Sequence, residues 1–142
     1  MHVESSADVA SGLVLGTVDG HDFGIVRRGD RNEFSFGEWG TGCNWHLRAP
    51  DAPASLDGWS QLDPVPELAV LSGSLPAGAV RAETVRAEDR TPVVLLSAEG
   101  SERPGWVGFS RLEEPAEHLE WFDDAGALLG RLSLVGHAND LR

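Results

Sequence analysis

The chain predicts an all-β fold: a sandwich, or alternatively a small barrel, of about eight to ten strands. Two observations carry this. From Leu68 onward, short apolar runs (68–72, 80–85, 91–96, 106–109, 118–122 and 127–134) are separated by turn-forming stretches such as 76–79, 88–90, 99–105 and 113–115. Helical periodicity is nearly absent. The one candidate helical turn, 113–119, contains Pro115 and runs into the alternation of Leu119 and Trp121, which favours a loop entering a strand.

Taken in order, residues 1–10 are small and polar and read as a flexible tail. The remainder, 11–142, reads as one sandwich domain. Residues 13–18 and 23–27 form a hairpin pattern, with Asp19-Gly20 supplying the positive-φ turn. Residues 33–39 alternate with period two, setting Glu33, Ser35 and Gly37 against Phe34 and Phe36. The glycines at 40 and 42 then break the run before an extended segment over 43–48. The stretch from Pro50 to Pro66 carries four prolines, both ends included; because proline lacks the ladder donor, it reads as a long ordered loop with Trp59 plugging it onto the body. In 80–88, Val80, Ala82 and Thr84 alternate with Arg81, Glu83 and Val85, a half-exposed strand with opposite charges available for cross-strand pairs.

At 142 residues the chain can bury a core without disulfide or metal. It carries 23 acidic against 11 basic side chains, a net charge of -12, and every basic residue is arginine. That balance argues against nucleic acid, whose binding needs a cationic surface to release counterions. It argues equally against anionic membrane surfaces, and it favours a protein partner with a basic surface. The N-terminus has neither the basic nor the apolar region of a signal peptide, and a lone cysteine, Cys43, suits a reducing compartment. A cytoplasmic location is expected, with a mature secreted domain as the alternative.

The stretch 71–80 through 120–130 resembles a pattern in small immunoglobulin-like domains of uncharacterised actinobacterial proteins. In that pattern a Gly-x-x-Pro-x-Gly-Ala segment leads into a strand, and an aromatic-rich strand ends in Asp-x-x-Gly. The resemblance covers about half the chain and implies an immunoglobulin-like sandwich; it supplies no catalytic residues. Unlike those look-alikes, which often pair cysteines in the N-terminal half, this chain has only Cys43.

Catalytic signatures are missing: there is no P-loop, dinucleotide fingerprint or nucleophile elbow. Cys43 and His46, three apart on an extended segment, point to opposite faces. His118 and Glu120 share a strand face and, with His46, compose the metal-dependent enzyme alternative, although no paired-histidine spacing accompanies them. The carboxylates of 19–22 and 123–126 are what tight turns demand, and the loops are too short for an EF-hand. The aromatic segment is the plausible contact surface: Trp39 and Trp45 flank a glycine loop, with Glu33 and Glu38 nearby. The expectation is therefore a non-enzymatic interaction domain needing no cofactor or metal. It would bind its partner through Trp39, Glu33, Glu38 and Trp45, a small inhibitor or immunity-type protein being the concrete version. A carbohydrate- or small-molecule-binding β domain is the alternative.

Overall fold

Asp19 and Gly20 both take positive φ (48° and 82°), folding β2 (Leu13–Val18) back on β3 (His21–Arg28) as the sequence predicts. The computed structural model describes residues 1–8, 13–28, 31–43, 51–96 and 103–135, and within them the protein is all-β, with thirteen strands in three antiparallel sheets, none closed into a barrel. The first sheet is a meander of β1 (Val3–Asp8), β2, β3, β4 (Arg31–Phe36) and β5 (Trp39–Cys43). The second runs in the order β10 (Val94–Leu96), β11 (Gly105–Arg111), β7 (Leu68–Ser74), β6 (Ser55–Gln61). The third runs β13 (Leu128–Ser133), β12 (His118–Phe122), β8 (Arg81–Arg86), β9 (Asp89–Pro92).

The second sheet is the middle layer, and side-chain alternation along its strands shows why. Leu68 and Val70 of β7 and Val107 and Phe109 of β11 join a core with Val14, Phe23, Ile25 and Phe34 of the first sheet. Their sequence neighbours Leu71 and Trp106 point the other way, into a core with Ala82, Leu119 and Trp121 of the third sheet. Every residue of β7 is therefore buried. Within the second sheet, β7 needs glycine where its neighbours crowd it: a Cβ on Gly73 would collide with the Ser55 carbonyl of β6 and lie 2.8 Å from the Trp106 indole nitrogen of β11. That indole donates to the same Ser55 carbonyl at 3.0 Å.

Four expectations need correction. Residues 3–8 are not a loose tail: Val3–Asp8 pairs along its whole length with β2, and Val3 is buried, because paired backbone needs only the occasional apolar side chain to hold it. The segment 50–66 contains β6, an edge strand; Pro53, Pro64 and Pro66 fall outside it, where their missing donors interrupt no ladder. Arg103, only 5% exposed, ties the approach to β6 down by donating to the carbonyls of Ala52, Pro53 and Leu75 and to the Ser74 hydroxyl. The run 91–96 is not one strand, since the chain leaves the third sheet after Pro92 and enters the second at Val94. Finally, the strand over 33–39 reverses at Gly37 (φ 64°) and Glu38, so the glycines at 40 and 42 lie inside β5 rather than ending the run. Sheet-switching and these extra strands account for thirteen where eight to ten were expected.

Candidate functional site

Three loops meet at one end of the second and third sheets. β11 and β7 pair with Arg111 opposite Leu68, so the loop entering β7 and the loop leaving β11 are neighbours, and the Leu112 amide donates to the Glu67 carbonyl at 2.9 Å. β12 pairs with β8 with His118 opposite Val85, which brings the β8–β9 turn to the same end. There the Glu117 amide donates to the Val85 carbonyl, and the Glu117 carboxylate accepts from the Ala87 amide at 2.7 Å. The loops 62–67, 87–89 and 112–117 together carry Asp63, Glu67, Glu88, Asp89, Glu113, Glu114 and Glu117 and no basic residue. All but Glu117 are exposed. Three arginines adjoin them: Arg86 donates to the Pro115 carbonyl, Arg90 pairs with Glu120 and Glu83 of the third sheet, and Arg111 pairs with Asp19 of the β2–β3 turn at 2.8 Å. A cleft of about 70 Å³ opens here, lined among others by Met1, Arg86, Asp89, Phe109 and Glu114. The result is a rim in which carboxylates outnumber the adjoining arginines, a surface whose field favours the approach of cationic groups.

The outer face of the third sheet is built differently. Glu120, with a side chain 3% exposed, accepts from Arg90 at 2.8 Å on one oxygen and from Arg131 at 2.7 and 3.0 Å on the other. Glu83, directly opposite it on β8, is 3.4 Å from Arg90 and 3.8 Å from Arg81. Arg81 also lies 4.3 Å over the ring of Phe122. The hydrogen bond from Arg90, with Arg131 adding to it, holds the Glu120 carboxyl below the usual range despite its burial. A carboxylate so committed is a structural anion rather than a free base.

The expected contact residues separate. Trp39 pairs with Phe36 across the β4–β5 turn, lies edge-on to Phe34 at 6.4 Å, and packs half-buried against the first core. The turn at 37–38 is the reason, since it puts Trp39 on the face of Phe34 and Phe36. Glu33 is exposed on the opposite face and Glu38 is exposed in the turn. Trp45 and His46 lie outside the described residues. Cys43 ends β5, and only its backbone is described. His118 and Glu120 do share a face, with the imidazole 3.5 Å from the carboxylate, yet the nearer partners of Glu120 are the two arginines. Among the described residues no three His, Cys, Asp or Glu side chains group as a metal site. At 123–126 the Asp123 carboxylate accepts from the amides of Ala125 and Ala127, the turn role its sequence suggests.

Sequence reasoning missed the acidic rim because its members come from loops about 25 residues apart, each with an ordinary reason for acidic residues in a turn. The doublets Glu88-Asp89 and Glu113-Glu114 were the available signal, and only the strand register reveals that they converge. Comparison of the chain with protein-family models, with curated proteins and with solved structures finds no match.

Proposed function

We propose that this protein is a non-enzymatic binding domain whose acidic loop end receives a basic surface of a partner protein, in the manner of a small inhibitor or immunity-type protein. The observation that carries this reading is the convergence of seven carboxylates from three loops with no basic residue among them. Loops held by a rigid sandwich are a common place for recognition surfaces. Among the described residues, packed side chains fill the space between the sheets. Among the described residues, no buried side-chain nitrogen or oxygen lacks a hydrogen-bond partner.

An immunoglobulin-like arrangement is part of the same proposal. The orders β10-β11-β7-β6 and β13-β12-β8-β9 correspond to the D-E-B-A and G-F-C-C′ sheets of such sandwiches, and a shared core lies between them. The first sheet is an additional layer on the outside of the D-E-B-A sheet.

The test is affinity capture from the source cell with the wild-type domain, a Glu88→Arg/Glu113→Arg/Glu114→Arg variant and Trp39→Ala. The expected result is a basic protein captured by wild type and by Trp39→Ala, with association to the charge-reversed variant slowed about tenfold or more at low salt. Equal capture by the charge-reversed domain would overturn the reading. Selective loss with a well-folded Trp39→Ala would return the contact to the β4–β5 hairpin.

A further inference from the structure

The cleft of about 70 Å³ opens where the three sheets meet. Met1, just before β1, lines it from the first sheet, Phe109 and Arg111 of β11 from the second, and Arg86 of β8 with Asp89 and Thr91 of β9 from the third. The loop after β11 adds Glu114 and Ala116. Size limits what such a cleft can hold. Sites for drug-sized ligands run to about 300–1,000 Å³, whereas this one has room for the end of a single side chain.

The charged groups of the lining are unequally engaged. Arg111 is matched by Asp19 at 2.8 Å, and Arg86 donates to the Pro115 carbonyl at 2.9 Å. The carboxylates of Asp89 and Glu114 are exposed, and neither pairs with a cation or accepts a hydrogen bond among the described residues. The Thr91 hydroxyl is equally unengaged there. Arg86 therefore leaves one positive charge against two open carboxylates, and the exposed Glu88 and Glu113 on the adjoining turns tip the balance further. Met1, Phe109 and Ala116 supply an apolar wall beside these acceptors.

We propose that this cleft receives one arginine side chain of the partner, a placement that rests on the binding function proposed above. A planar guanidinium carries donors along several edges, so it can meet carboxylates from two separate elements and a hydroxyl together. Its methylene stem lies along the apolar wall while the charged end stays with the acceptors. A lysine ammonium is a compact, more strongly hydrated charge, which costs more to strip of water in a confined space. An arginine seated in a pocket is also a common anchor of protein interfaces.

Ethylguanidinium, ethylammonium and the neutral ethylurea, titrated at millimolar concentration into the isotope-labelled domain, test this through backbone amide shifts. Ethylguanidinium should produce saturable shifts at Asp89, Thr91, Ser110 and Ala116, with ethylammonium binding more weakly and ethylurea silent. Asp89→Asn and Glu114→Gln should each weaken ethylguanidinium binding about threefold or more. Glu113→Gln removes the same charge from a rim residue outside the lining and should leave binding nearly unchanged. Thermal melts establish that each variant is folded, and either lining variant suffices. The absence of a saturable shift overturns the proposal, as does an equal response to ethylurea or ethylammonium, or an equal loss with Glu113→Gln. A basic partner captured by a domain that ignores ethylguanidinium would sink this cleft while leaving the proposed function standing. Saturable ethylguanidinium binding by a domain that captures no basic protein would overturn both the partner and the placement of its arginine.

Discussion

β7 and β13 are built from similar residues, LAVLSGS and LLGRLS, yet one is the most enclosed strand of the protein and the other among the most open. Leu68 and Leu71 are 1% and 4% exposed, whereas Leu128 and Leu129 are about half exposed. The difference lies in what surrounds them. β7 has strands on both sides and a sheet over each face, so both of its alternating side-chain sets are buried. Among the described residues, β13 has one neighbouring strand and an outward face covered by side chains of its own sheet. Burial here is a property of layer and position, and leucine content by itself specifies neither.

Substitutions can sharpen that contrast. The largest effect should come from Leu71→Ala, which opens a cavity in the core between the second and third sheets. A loss of about 2–5 kcal/mol is expected in denaturant unfolding, and a loss near zero would mean that β7 is not enclosed as described.

Glu120→Gln probes the intermediate case, a charge buried on the outer face by its own partners. Removing the carboxylate weakens the bonds from Arg90 and Arg131, but those arginines are partly exposed and water can solvate them. The expected cost is therefore about 1–3 kcal/mol rather than the larger penalty of a fully stranded pair. The pH dependence has a definite sign. Because the folded-state carboxyl is held below its ordinary value of 4.5, its contribution is complete above that value and is lost as pH falls through the lower folded value. Stability curves of wild type and Glu120→Gln should differ at neutral pH and converge in acid; a constant gap would assign the effect to packing instead.

Leu129→Ala should have the smallest effect, within about 0.5 kcal/mol in denaturant unfolding. A loss as large as that of Leu71→Ala would show that β13 is covered in the isolated chain.

Much of the strand pattern was legible because turn chemistry is local. Asp19-Gly20 and 123–126 are turns for reasons contained within a few residues, and their positions follow directly from the sequence. The reversal at Gly37-Glu38 was less legible. Period-two alternation persists through residue 36, and a glycine followed by glutamate carries a weaker turn signal than Asp-Gly. That two-residue turn is why Trp39 faces the first core and Glu33 does not share its surface. The split of 91–96 between two sheets was similarly hidden, because Val94 and Leu96 read as a continuation of the preceding strand in any one-dimensional pattern.

By itself, the sequence determined the all-β class, the acidity, the arginine-only basic set and several turns, since each depends on composition or on contacts within a few residues. The tertiary structure alone decided that the second sheet lies between the other two, that Glu120 is enclosed by Arg90 and Arg131, and that three acidic loops share one end. Those outcomes depend on strand order and register. They are set by the summed fit of whole layers, so no single segment of the chain encodes them.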